Sequence, residues 1–181
     1  MKKADGEIRH KVRNTTSVYE GRRIKVFRDN VLMPNGREVV RDIVRSAPAA
    51  AIVAFTNNGK VLLLRQFRYP LWGWLYELPA GVIEEGESPE ECARRELEEE
   101  TGYRAGKIRK ILRFFTSPGF CDEEMHVFLA EDLEKFEARV LPDECLTLEE
   151  IALSDAMRMI SDGRIADGKT VAALSYYQLH K

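Results

Sequence analysis

Cysteine and histidine are scarce in this chain, with three of each among 181 residues. Cys92, Cys121 and Cys145 form an odd, widely spaced set with no CxxC pair. A zinc site has little material here, and reduced thiols in a cytoplasmic protein are the expectation. Long apolar runs are lacking too. The longest, residues 47–55, is broken by Pro48 and falls far short of the roughly 20 residues that span a bilayer. The N-terminal stretch MKKADGEIRHK is polar with no apolar segment behind it, so no secretory signal is expected. Nor does one sign of charge dominate. A formal net charge of -2 gives no broad field for a nucleic-acid polymer or an anionic membrane.

What remains is an ordinary globular composition, 44% hydrophobic and 32% charged, of a length that suits one domain or one domain with an appendage. The first 14 or so residues are charged and expected to be loose. Residues 16–45 favour strands, with Pro34-Asn35-Gly36 as a turn between Ile24, Val26, Val31 and a return through Val39, Val40, Ile43 and Val44. A second hairpin is expected from residues 49–55 and 61–67 about Asn57-Asn58-Gly59, both arms apolar on consecutive positions and so buried on both faces. Further strands are expected at residues 108–115 and 125–130, and helices at 154–161 and 170–180. Trp72 and Trp74 are read as core or interface aromatics, His126 as structural, and Lys169-Thr170 as no more than a helix start. Strands with few helices predict an α+β fold, a mixed sheet covered by helices.

The best-marked element is a helix. Ser88 suits an N-cap, Pro89 the first helical position, Glu91 a capping box, and Gly102 a stop. At about 100° per residue, Glu96, Glu99 and Glu100 fall within an arc of roughly 100°, with Ala93 and Leu97 at its flank. Ion pairs Glu90–Arg94 and Glu91–Arg95 suit the solvated side. Like charges beside an apolar stripe are costly unless something binds them, and hard divalent cations take carboxylate oxygens.

The spacing is specific. Gly81, Glu87, Arg95-Glu96, Leu97, Glu99-Glu100, Gly102 and Tyr103 resemble the Nudix box at every defined position, Tyr103 being aromatic where an aliphatic residue is commoner. The resemblance implies an α/β/α sandwich and metal-dependent hydrolysis of a phosphoanhydride. Glu96, Glu100 and the Ala80 carbonyl would be ligands for Mg2+ (Mn2+ as a substitute), and Glu99 a further ligand or a proton acceptor. Arg95 would hold the glutamates, Glu87 would brace the loop, and Gly81 would permit a backbone geometry that a side chain obstructs.

Outside the box, residues 65–81 (RQFRYPLWGWLYELPAG) and Thr116-Ser117-Pro118-Gly119-Phe120 are similar to the ADP-ribose pyrophosphatase branch of that superfamily. This similarity implies a nucleoside diphosphate sugar as substrate, with ADP-ribose giving AMP and ribose 5-phosphate. Arg68, with Arg65, would meet the diphosphate, and Pro118 and Gly119 would turn a loop carrying the general base Glu123, or its neighbour Glu124. It also implies residues 1–45 as a β-rich region at a homodimer interface and 46–181 as the catalytic domain. Arg41, and Arg37 beside it, would reach a partner's site, and Tyr19 or Phe27 would stack on a base. Other nucleoside diphosphate sugars such as GDP-mannose, oxidised nucleotides, and a non-catalytic nucleotide sensor are the alternatives.

Overall fold

The Pro34-Asn35-Gly36 turn organises the first part of the chain. In the computed structural model, which describes residues 11–136 and 145–181, β2 (Ile24–Leu32) and β3 (Glu38–Ser46) pair antiparallel across it. Gly36 takes a φ of 79°, a region glycine enters because it has no Cβ. Its N–H donates to the Met33 carbonyl at 2.9 Å. β1 (Lys11–Glu20) pairs antiparallel with β2 and completes a sheet of order β1-β2-β3. Residues 11–14 are therefore strand, not the loose chain expected, since β2 offers their backbone a ladder of partners; residues 1–10 lie outside the described residues.

The described chain up to Ala47 forms one compact unit with Ser117–Glu123, and Pro48–Thr116 with Glu124–Lys181 forms a second. The boundary thus falls at Ala47, and the segment after Thr116 belongs with the N-terminal strands. Backbone bonds explain this. Val44 N–H donates to Phe120 O at 2.7 Å, Asp122 N–H to Val44 O at 3.3 Å, and Ser46 N–H to the Asp122 carboxylate at 3.1 Å.

The second unit holds β4 (Ala49–Ala54), β5 (Lys60–Arg68), β6 (Gly73–Glu77), β7 (Ala80–Val82), α1 (Pro89–Thr101), β8 (Tyr103–Phe115), β9 (Glu124–Lys135), β10 (Leu146–Ala152), α2 (Leu153–Ser161) and α3 (Gly168–His180). The expected second hairpin does not form. Its turn does, with Gly59 at φ 74°, but pairing stops at the Phe55–Val61 bridge. β4 instead joins a mixed sheet of order β7-β4-β9-β8, parallel only to β9, while β5 joins an antiparallel sheet of order β10-β5-β6. Strands apolar on both faces are each best buried as inner strands, and separating the arms achieves that for both.

β4 is buried along its whole length and divides two cores. Ala50, Ile52 and Ala54 pack with Cys92, Ala93 and Leu97 of α1. Ala49, Ala51 and Val53 pack with Ala156 and Met159 of α2 and with Ala173 and Leu174 of α3. Helices thus cover both faces of the mixed sheet, the α/β/α arrangement expected. β7 and β10 were not anticipated. β7 has only three residues, directly after Pro79, and β10 carries Glu149 and Glu150 in its run. None of the described helices is long and apolar enough to cross a membrane.

Candidate active site

α1 begins as its sequence dictates. The Ser88 hydroxyl accepts from Glu91 N–H at 3.3 Å, and the Glu91 carboxylate accepts from Ser88 N–H at 2.8 Å. Gly102 closes the helix at φ 68°. Leu97 and Ala93 are buried beneath it, and this fixes the azimuth at which the glutamates emerge.

That azimuth points Glu96 and Glu100 at β7. Glu100, 5% exposed, accepts the Ala80 N–H at 3.0 Å. Glu96 lies against Gly81 so closely that a Cβ there would meet its Oε1 at 1.9 Å. The φ of Gly81 is not among the positive values, so glycine is needed here for room, where a side chain would meet Glu96. Glu99 is more open, its side chain 37% exposed.

Arg95 ties the cluster together. It donates to Glu87 at 2.8 and 3.0 Å, to Glu96 at 2.5 Å, to Glu99 at 3.3 Å and to the Val82 carbonyl at 3.2 Å. Hydrogen bonding from Arg95 holds the Glu87 carboxyl below the usual range, and Glu87 in return raises Arg95. Glu87 also accepts from Glu84 N–H at 3.0 Å, closing the loop before the helix. The Glu90–Arg94 pair forms at 3.0 Å. The Glu91–Arg95 pair does not, because Glu91 is spent on the cap and Arg95 on Glu87. Cys92, beneath, is an inert thiol pushed up to about 12 by burial and then by Glu87 and Glu96.

A second cluster adjoins the strand that leads into Ala80. Glu77 is 1% exposed and accepts from Arg68 Nε and Nη2, both at 2.6 Å. It also accepts from Lys169, which pairs in turn with Asp167 at 3.0 Å. Burial raises the Glu77 carboxyl, but the two cations outweigh it and the net shift is downward. Arg68 is raised by Glu77, with Asp167 and Glu100 adding to its field. Arg68 is thus held by a buried carboxylate, which sets its planar fork in one orientation. Glu77 and Lys169 went unassigned in the sequence. An acid in the apolar run WLYELPA was a signal, since a buried charge needs a partner, but nothing local announces a partner 92 residues away. The reading of Lys169-Thr170 as a mere helix start is corrected.

The other expected residues are distributed more widely. Arg65 lies over the Trp74 ring at 5.2 Å. Trp72 and Trp74 are exposed, at 75% and 49%, so neither is core. Arg41, Pro118, Gly119 and Glu123 belong to the N-terminal unit. There Arg41 donates to the Val40 carbonyl at 3.0 Å, and Phe120 N–H closes the Pro118-Gly119 turn onto Ser117 O at 3.1 Å. The Ser46 hydroxyl approaches Glu123 at 3.4 Å. Glu124 is no loop acid. It starts β9, bound by Arg113 at 2.5 Å and His126 at 2.9 Å, and Arg113 chiefly holds its carboxyl low. Glu123, like Asp122, lies in the loop before β9.

The sequence matches the NUDIX domain over residues 45–174. The chain belongs to the NUDIX family. Among its relatives, the ADP-ribose pyrophosphatase of Bacillus subtilis (strain 168) is 44% identical over 164 residues, 90% of this chain and 89% of that protein. The methanol dehydrogenase activator of Bacillus methanolicus is 43% identical over 169 residues, 92% and 91% of the two chains. A GDP-mannose pyrophosphatase of Yersinia enterocolitica serotype O:8 / biotype 1B (strain NCTC 13174 / 8081) is 39% identical over 158 residues, 81% and 82%. A crystal structure described as an ADP compounds hydrolase matches with TM-score 0.84 at 23% identity, over 93% of this chain and 92% of that one, and shares the fold.

The NUDIX box residues suit a divalent cation. Their donors are carboxylate oxygens, the choice of a hard ion, and the lack of a side chain on Gly81 lets the Glu96 carboxylate lie against the backbone next to Ala80. Among the described residues no three acid, histidine or cysteine groups already stand at metal-holding spacing. Arg95 holds Glu96 at 2.5 Å, so an ion there competes with a guanidinium for this carboxylate.

Proposed function

We propose that this NUDIX protein hydrolyses the diphosphate of ADP-ribose to AMP and ribose 5-phosphate with Mg2+, Mn2+ serving as a substitute. The observation that carries this reading is the oxygen cluster of α1 facing the Ala80–Gly81 backbone. The substrate assignment is supported by the 44% identical ADP-ribose pyrophosphatase. The GDP-mannose pyrophosphatase at 39% identity favours a second reading, hydrolysis of another nucleoside diphosphate sugar.

Glu96, Glu100 and the Ala80 carbonyl, with Glu99 at the open side, would hold the ion. What a bound ion supplies is neutralisation of the diphosphate and a more acidic water. Arg95 keeps the carboxylates oriented. Arg68, with its Nε and Nη2 fixed on Glu77, presents its remaining N–H groups to a phosphate oxygen, and Arg65 supports it. Water attacks one phosphorus, its proton passes to Glu123, and the bridging P–O bond breaks to release two phosphate monoesters. Pro118 and Gly119 shape the loop that carries Glu123. The protein acts as a homodimer in which Arg41 contributes to the partner's site, and a cytoplasmic location accords with its three free cysteines.

A panel of ADP-ribose, GDP-mannose, other nucleoside diphosphate sugars and oxidised nucleotides, assayed for product with and without Mg2+, tests this. Turnover is expected to be fastest on ADP-ribose and absent without metal. Glu123→Gln is expected to lower it by about 100- to 10,000-fold while Mn2+ affinity stays unchanged. Faster cleavage of GDP-mannose would establish the second reading. Tight binding without turnover on every compound would make the domain a sensor.

A further inference from the structure

Residues 77–81 are held by side chains of two helices distant in sequence. From α1, Glu100 takes the Ala80 N–H at 3.0 Å, and Glu96 packs on Gly81. From the start of α3, the Thr170 hydroxyl accepts the Leu78 N–H at 2.8 Å, a bond wholly buried, and Lys169 binds the Glu77 carboxylate. Between them, the Pro79 carbonyl accepts Ile52 N–H of β4 at 2.9 Å. The α3 groups are themselves fixed. Thr170 is fully buried, and its hydroxyl donates to Asp167 Oδ2 at 2.6 Å while its N–H donates to the same oxygen at 3.0 Å. Asp167 thus caps α3, orients the Thr170 hydroxyl so that its lone pair faces Leu78, and pairs with Lys169 at 3.0 Å.

The geometry points to Lys169 and Thr170 as positioning residues for the cation site, setting the backbone from Glu77 to Ala80 so that the Ala80 carbonyl meets an ion held by Glu96 and Glu100. This rests on the function proposed above. The physical reason is that a carbonyl ligand has no torsion of its own and goes where its peptide is put. Leu78 and Glu77 are the last positions before Pro79, which has no N–H with which to anchor itself. A lost Leu78 bond leaves a buried N–H unpaired and frees the strand end to shift. Groups that orient metal ligands from behind change affinity by about 10- to 100-fold when removed.

The test is Mn2+ binding to the full-length protein without substrate, read from the loss of the free-ion resonance signal, with thermal melting alongside. Thr170→Val keeps the shape and removes the hydroxyl, and is expected to raise the Mn2+ dissociation constant about 10- to 100-fold at a temperature where the variant is folded. Thr170→Ser keeps the hydroxyl and is expected to stay within about twofold of the parent. Lys169→Met leaves the Leu78 bond in place and is expected to weaken Mn2+ about tenfold; it also serves where Thr170→Val fails to fold. A lower melting temperature with unchanged Mn2+ affinity in both Thr170→Val and Lys169→Met would make these residues structural only and overturn the inference. The parent reading fails separately, if the unsubstituted protein binds no Mn2+ or if Glu96→Gln and Glu100→Gln bind it as well as the parent does.

Discussion

A methyl group on Gly81 would stand 1.9 Å from Glu96 Oε1 and 2.1 Å from its carboxyl carbon. The obstacle is the far end of a flexible side chain, so the fold can absorb the change by swinging Glu96 aside. The function cannot, because the displaced atom is a proposed ligand, and misplacement by about 1 Å at a reacting centre costs about 100-fold. Gly81→Ala is therefore expected to melt within a few degrees of the parent while its Mg2+-dependent kcat falls about 100-fold. Activity within about threefold of the parent would show that Gly81 serves packing alone. The same scale separates two adjacent acids. Glu124 is consumed by Arg113 and His126, while Glu123 approaches only the Ser46 hydroxyl among the hydrogen bonds found for it.

At the scale of elements, α1 divides its labour between ends. Its first turn carries the capping box and the later turns carry the carboxylates. Ser88→Ala removes one cap acceptor and is expected to cost about 1 kcal/mol in urea denaturation with kcat unchanged; a fall in kcat beyond about threefold would mean that the cap also positions Glu96. This helix was legible from sequence because caps, apolar stripe and acid spacing are all local. The pairing of β4 and β5 was not legible. Asn57-Asn58-Gly59 makes the expected turn, yet which strand lies beside β4 is decided by β9, over 70 residues along, and by a second core shared with α2 and α3. The site divides on the same line. Glu87, Arg95, Glu96, Glu99 and Glu100 were readable as one helix and its leading loop. Lys169 and Thr170 meet Glu77 and Leu78 only through folding, and a lysine-threonine pair at a helix start has many ordinary uses.

For the whole molecule, the N-terminal sheet poses a question of burial. Every residue of β1 is exposed, and Val12, Val18, Tyr19, Ile24 and Val40 are among the exposed large apolar side chains. Among the described residues up to Ala47 the single buried one is the acid Asp29, whose Oδ1 has no hydrogen-bond partner. A three-stranded sheet needs a covered apolar face to offset the entropy of ordering it, and among the described residues these apolar side chains stay exposed. A second copy meets the need, since a twofold contact presents the same patch to itself, and a stable contact takes about 1,200–2,000 Å² in total. Sedimentation at about 10 µM, a concentration where an interface of that size is populated, is expected to give twice the chain mass of 20.8 kDa. Val18→Glu with Val40→Glu places charges on the patch and is expected to shift the protein toward single chains. If the sheet is covered by another copy, these substitutions are expected to leave each chain's Mn2+ affinity intact, since none of the proposed ligands is changed. They are nevertheless expected to lower turnover on ADP-ribose, because the contribution proposed for Arg41 at a partner's site is then lost. A single-chain mass for the parent protein at that concentration would refute the homodimer, and full turnover by dissociated chains would remove Arg41 from the site.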